Sequence, residues 1–168
     1  MAKLLVTCRN LYGESQAKLC LRDVVEEVVI KPTEFRAVLH VEAEGDALEL
    51  AEMVTRECPY EIARAVPILE EGESNLKALE ELALRVALEY IKKDESFCFR
   101  LHKRGTHGLE KDTPEVEYEV GGVIHDALKN KFKKKPKVDL DDPDVTVVAE
   151  VLGEGLEVGI ARKVWSED

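Results

Sequence analysis

The stretch "VDLDDPDVTVVAEV", residues 138–151, turns from aspartate-rich to apolar at Pro143. A proline followed by a run of alternating, β-branched residues marks a turn entering a strand, so a buried strand is expected after Asp144. Asp139, Asp141, Asp142 and Asp144 also offer four carboxylates to a hard cation. Their spacing argues against one, because a calcium loop needs oxygen ligands at alternate positions, a central glycine and a glutamate at the twelfth position. The expectation is a turn in which Asp139 or Asp144 accepts backbone N–H groups. Downstream, "GEG" at residues 153–155 turns the chain into a last strand, "LEVGIARKV".

Upstream, "PEVEYEVGGVIHDALKNKF", residues 114–132, reads as a long helix. Thr113 is the expected cap, Pro114 suits the first helical position, and Glu115 and Glu117 match the positive end of the helix dipole. Val116, Val120, Ile124, Ala127 and Leu128 recur on one face. Gly121 and Gly122 interrupt it at a cost of about 1 kcal/mol each relative to alanine. Such a pair predicts a close approach to the backbone, by a neighbouring strand or by an RNA backbone. Earlier still, "SFCFRLHKR" at residues 96–104 alternates as a strand, with Phe97, Phe99 and Leu101 inward and Arg100, His102 and Arg104 on the other face. "RGTHGLEKDT" is a loop whose glycines permit tight turns near a phosphate. Ser74 is expected to cap the preceding helix, whose Leu76, Leu79, Leu82, Ala83, Val86 and Tyr90 share a stripe.

Residues 1–70 follow a different order. "KLLVTC" is a strand, and Gly13, Glu14 and Ser15 open a helix carrying Ala17, Leu19, Cys20, Val24 and Val25 at helical spacing. "VVIK" and "FRAVLHVEA" form two strands, with Phe35, Ala37, Leu39 and Val41 on the buried face of the second. Asp46 caps a helix with Leu48, Leu50, Ala51 and Val54 inward, which ends before Pro59. "IARAVPIL" is the fourth strand. The order β-α-β-β-α-β is that of a ferredoxin-like domain. The expected fold class is therefore α+β to α/β, with a ferredoxin-like domain at 1–70 and a second α/β domain at 71–168.

The charge is uneven. The chain carries 24 lysines and arginines against 35 aspartates and glutamates, a net of -11 that should repel nucleic acid. Between Lys92 and Lys137, however, twelve basic residues outnumber eight acidic ones, a net of +4, leaving 12 minus 27, or -15, for the remainder. Lys129, Lys131, Lys133, Lys134, Lys135 and Lys137 crowd into nine residues. One or two cations at a helix C-terminus are stabilising at roughly 0.3 to 1 kcal/mol each. Six repel one another beyond what the dipole offsets, so polyanion binding is the favoured reading over a merely solvated helix end.

Other chemistries find little support. Cys8, Cys20, Cys58 and Cys98 form no CxxC pair, which excludes a zinc ribbon and leaves reduced, mostly buried thiols as the expectation. The four histidines show no ligand spacing, so no metal is expected. No phosphate loop, dinucleotide fingerprint or nucleophile elbow is present, and no cofactor is expected. Aromatics are only 5% of the chain, which disfavours base stacking on an exposed sheet of the RRM kind. No apolar run approaches the roughly 18 residues of a membrane span, and the N-terminus lacks the apolar centre of a signal peptide, so a cytoplasmic protein is expected.

"SFCFRLHKRGTHGL", the helix "PEVEYEVGGVIHDALKNKF" and "VDLDDPDVTVVAEVLGEGLEVGIARK" together resemble the THUMP domain of tRNA-modifying proteins. "RAVPI" at residues 64–68 is similar to the end of the ferredoxin-like domain that accompanies it. The resemblance implies binding of tRNA around the acceptor stem and 3′ end. It implies no catalytic module, and points to the tRNA-binding partner of the RNA cytidine acetyltransferase that makes N4-acetylcytidine in the D-arm. The expectation is thus a non-catalytic adaptor that touches RNA through Arg100, Lys103, Arg104, His107, Lys111, Lys129, Lys131, Lys133, Lys134, Lys135, Lys137, Arg162 and Lys163. The rivals are a tRNA-binding subunit of a thiolation or methylation system, an enzyme acting on tRNA by itself, and a protein-interaction module whose lysines meet an acidic partner.

Overall fold

The computed structural model describes residues 1–167 as two compact units. The first comprises Met1–Ile68, joined by the residues from Val164 onward, and the second is Leu69–Lys163.

In the first unit the elements are β1 (Ala2–Cys8), α1 (Glu14–Val24), β2 (Val29–Pro32), β3 (Val38–Ala43), α2 (Ala47–Glu57) and β4 (Ile62–Pro67). Their sheet order is β2-β3-β1-β4, antiparallel throughout, which is the ferredoxin-like arrangement that the element order predicts. Leu4, Val6, Leu39 and Val41 meet Ala17, Leu21, Leu50, Ala51 and Val54 in its core. Asp46 caps α2 by accepting the Glu49 N–H at 3.3 Å. The strand expected from Phe35 begins only at Val38. Ala37 sits at φ 62°, in the left-handed region, and the Thr33 hydroxyl binds the Phe35 and Val38 carbonyls to shape the turn before it.

The reading of all four cysteines as free thiols is corrected. Cys20 on α1 and Cys58 at the end of α2 form a disulfide, because the two helices pack side by side in the unit. Glu61 lies within 4.8 Å of both sulfurs, but their mutual bond consumes the thiolates that a metal would require. Cys8 and Cys98 are buried thiols, and burial raises both of their pKa values.

The second unit runs β5 (Glu70–Glu73), α3 (Leu76–Tyr90), β6 (Ser96–His102), α4 (Thr113–Phe132), β7 (Lys137–Val138), β8 (Val145–Leu152) and β9 (Gly155–Arg162). The sheet order is β5-β9-β8-β6-β7, with β6 parallel to both neighbours and the other pairs antiparallel. Glutamate-rich β5 has no apolar alternation, so nothing in its composition marks a strand. It pairs with β9 through its backbone, and a Cβ at Gly72 would stand 2.8 Å from Leu82 Cδ1, so a larger residue there would push the leucine side chain aside.

Two helix starts differ from expectation by one residue. Asn75, not Ser74, caps α3, its side chain accepting the Ala78 N–H at 2.9 Å. Ser74 is instead buried, and its hydroxyl donates to the Gly153 carbonyl at 2.7 Å. Asp112 occupies the cap position of α4 and Thr113 is already helical. Val116, Val120, Ile124 and Leu128 form the buried stripe of α4 against the sheet. No helix among the described residues is long and apolar enough to cross a membrane.

Candidate nucleic-acid interface

Helix α4 ends on a lysine held in the left-handed conformation. Lys133 has φ 57° and its N–H reaches the Lys129 carbonyl at 2.9 Å, so the chain reverses sharply before Pro136. Strand β7 follows at once and aligns Lys137 beside Ser96 at the start of β6. The turn that connects α3 to β6 carries Lys92, Lys93 and Asp94 to the same place. Ile91, Leu128, Phe132 and Pro136 form an apolar floor there, with Lys92, Lys93, Lys134, Lys135 and Lys137 around it. Two segments some forty residues apart in the chain thus supply one cationic surface.

Its lysines are not equivalent. Lys134 is pinned to Asp94 at 2.5 Å, and that hydrogen bond is the main reason the Asp94 carboxyl lies below its ordinary pKa. The Lys131 ammonium donates to the Leu88 carbonyl and lies 5.1 Å from the centre of the Phe132 ring. Lys92, Lys93, Lys129, Lys133, Lys135 and Lys137 are exposed and have no carboxylate partner among the described residues. Sequence reasoning counted Lys92 and Lys93 in the basic island yet assigned them no contact. The signal that finds them is the α3–β6 connection, which becomes visible only when β6 and β7 are known to be neighbours.

The basic residues along β6 and β9 serve other ends. Arg104 has a side chain only 15% exposed and meets Glu150, itself 1% exposed, at 2.7 Å. Arg162 binds Glu95 at 2.5 Å and the Tyr90 carbonyl at 2.7 Å. Arg100 donates to the Leu140 carbonyl at 2.6 Å and lies 3.6 Å from Glu117. Arg104 and Arg162 are largely buried in these pairs, whereas the Arg100 side chain is 37% exposed and lines the groove beside α4. Lys103 donates to the Lys111 carbonyl at 2.8 Å, and Lys111 pairs with Glu119 at 2.7 Å, a bond that raises its pKa. His107 accepts the Leu109 N–H through Nδ1 at 3.2 Å, and Lys163 lies 3.2 Å from Asp142.

The aspartate-rich turn behaves as its sequence suggests. Asp139 accepts the N–H groups of Asp142 and Asp141, each at 3.0 Å, and these bonds lower its pKa. Asp144 accepts the Ser96 N–H at 2.9 Å, which lowers its pKa in turn and ties the entry of β8 to that of β6. The glycine pair of α4 meets only half of its reading. The expected close visit by a strand is absent, since a Cβ at Gly121 or Gly122 would meet nothing within 4 Å. Both line an open groove of about 590 Å³ between α4 and the edge of β6.

Residues 73–161 match the THUMP domain family, more than half of the chain. The chain belongs to that family. Among curated proteins, it is 26% identical over 133 residues to an uncharacterized protein of Methanocaldococcus jannaschii, spanning 78% of this chain and 33% of that protein. It is 41% identical over 68 residues to the tRNA sulfurtransferase of Aliivibrio salmonicida, spanning 40% of this chain and 13% of that enzyme. The chain thus spans a third or less of the length of these relatives. Among solved structures, a 4-thiouridine synthetase in complex with RNA and ATP superposes with a TM-score of 0.60 at 16% identity. That match covers 96% of this chain and 41% of the synthetase, and shows a shared fold.

Proposed function

We propose that this chain binds tRNA through the lysine surface at the C-terminal end of α4 and presents it to a modification enzyme, without catalysis of its own. The observation that carries the reading is the set of exposed lysines, 92, 93, 129, 133, 135 and 137, which make no ion pair with a carboxylate among the described residues in a chain of net charge -11. Elsewhere the carboxylates repel a phosphate backbone, so the lysines orient the RNA as well as attract it. Membership of the THUMP family and the likeness to a tRNA sulfurtransferase support tRNA as the polyanion. In its finer form, the tRNA is gripped around its acceptor stem and 3′ end, and the D-arm is offered to an RNA cytidine acetyltransferase that forms N4-acetylcytidine.

About six phosphate contacts make the logarithm of affinity fall with that of salt concentration at a slope of roughly -4 to -5. Exchanging Lys129, Lys133, Lys135 and Lys137 for glutamate is expected to lower tRNA affinity about a hundredfold at low salt and to flatten the slope. Unchanged affinity and slope would refute the assignment. For the finer form, transcript tRNA and acetyl-CoA are incubated with the chain and a candidate acetyltransferase, together and separately. Product that needs both proteins supports the adaptor, whereas product from this chain alone makes it an enzyme.

A further inference from the structure

We infer that the open groove beside β6 is a binding site for a single unpaired nucleobase of the RNA whose phosphates the adjoining lysines hold. The inference rests on the RNA-binding reading above.

The groove exists because β7 leaves its place in the sheet early. It pairs with β6 only at Ser96 and Phe97, after which the Asp139 N–H closes on the Phe97 carbonyl at 3.1 Å. Four residues further along β6, the Leu101 N–H is taken by the Glu117 carboxylate at 2.9 Å. Backbone groups of successive strand residues point alternately to either side. The Ser96 N–H faces Asp144 on the β8 side, while the Phe97 carbonyl and the Leu101 N–H face the groove. The N–H and carbonyl of Phe99 therefore face the groove too, and neither has a partner among the described residues.

That count selects the occupant. An extended peptide added to a sheet edge draws on the donor–acceptor pairs of every second residue. Here the Phe97 carbonyl and the Leu101 N–H are already engaged, and Phe99 is the groove-facing residue that keeps both its N–H and its carbonyl without a partner among the described residues. Such a pair matches the edge of a nucleobase, where a donor and an acceptor stand side by side. The walls suit a flat ring. Gly121 and Gly122 project nothing into the space, and the Tyr118 side chain, with its residue 85% exposed, stands beside them as a stacking surface. The volume of about 590 Å³ lies within the range of small-molecule sites.

Electrostatics limit the site to one nucleotide. Val138 in the groove wall directly follows Lys137 of the lysine surface, so a phosphate held by that lysine delivers its neighbour to the groove. At the other end Arg100 and Lys111 are already paired with Glu117 and Glu119, so neither is a free cation for a second phosphate.

The test titrates the full chain with three RNAs by fluorescence anisotropy: a blunt duplex, the same duplex with one unpaired nucleotide, and the same with an abasic residue in its place. The base is expected to add about tenfold in affinity over the abasic RNA. Gly122→Leu fills the groove from a position with free space around it, and Tyr118→Ala removes an exposed ring. Both are expected to abolish the gain while leaving blunt-duplex affinity and its salt slope as they were. A 4-thiouridine at the unpaired position should photocrosslink within residues 96–102 or 113–125. Equal affinity for the base and abasic RNAs overturns the nucleobase site while duplex binding stands. A gain that persists in both variants also overturns it and leaves the groove to an extended peptide. Failure of the blunt duplex to bind overturns the RNA-binding reading itself and the groove with it.

Discussion

The two units handle charge in different ways. In the first, ion pairs such as Lys31 with Glu42 and Arg56 with Glu52 stand largely in water, where they contribute little, and a disulfide crosslinks the two helices. In the second, one arginine is sunk against a fully buried glutamate, while Lys129, Lys133, Lys135 and Lys137 at the end of α4 stand without carboxylate partners among the described residues. Basic residues that are neighbours in sequence thus divide into those that hold the fold together and those open to a ligand. The division is made by where the fold places carboxylates, not by the local density of positive charge.

The sharpest way to break this contrast is to open the disulfide. Closing a loop between residues 38 apart in sequence is expected to stabilise the first unit by about 4 kcal/mol. Reduction, or Cys20→Ser, should lower the denaturant midpoint reported by the fluorescence of Trp165, which is buried in that unit. An unchanged midpoint would show that the crosslink carries no stability. Next in size is Arg104→Ala, which leaves the Glu150 carboxylate buried without its guanidinium and should cost the second unit about 3 kcal/mol. Hydrogen exchange of the β8 amides reads it. A loss below about 1 kcal/mol would return Arg104 to the surface class.

A smaller effect is expected at Asp144. Asp144→Ala removes an acceptor for the Ser96 N–H and should cost about 1 to 2 kcal/mol. Because the folded pKa of Asp144 is lowered, its stabilisation is present above the unfolded value of about 3.9 and is lost as pH falls through the folded value. The variant should therefore differ from the parent at pH 6 and converge with it in strong acid. A constant difference across that range would exclude the charge as the cause.

The smallest change sharpens the contrast from the lysine side. Lys133→Gly relieves the left-handed backbone at the end of α4 and should stabilise the unit by about 1 kcal/mol. It also deletes one exposed cation, so the salt slope of RNA binding should become shallower by about 0.9. Stability gained with an unaltered slope would remove Lys133 from the interface.

Much of the architecture was legible because its signals are local. The β-α-β-β-α-β order, the Asp46 cap, the buried stripe of α4 and the turn at Asp139 each follow from residues a few positions apart. Strand β5 was not legible, because an edge of glutamates and glycine is held by its partner's backbone and has no pattern of its own. The glycine pair was legible as a special place, but of its two expected visitors the strand is absent: the space beside it is open because β7 stops short, which no property of α4 foretells.

Sequence by itself determined the element order, the class of fold and the existence of a cationic segment, since periodicity, capping and charge count are properties of contiguous residues. Tertiary structure alone decided which cations keep their charge exposed, that Cys20 meets Cys58, and that Phe99 faces an empty place in the sheet. Those outcomes depend on pairings between residues tens of positions apart, and Coulomb attraction, covalent bonding and strand pairing act through space.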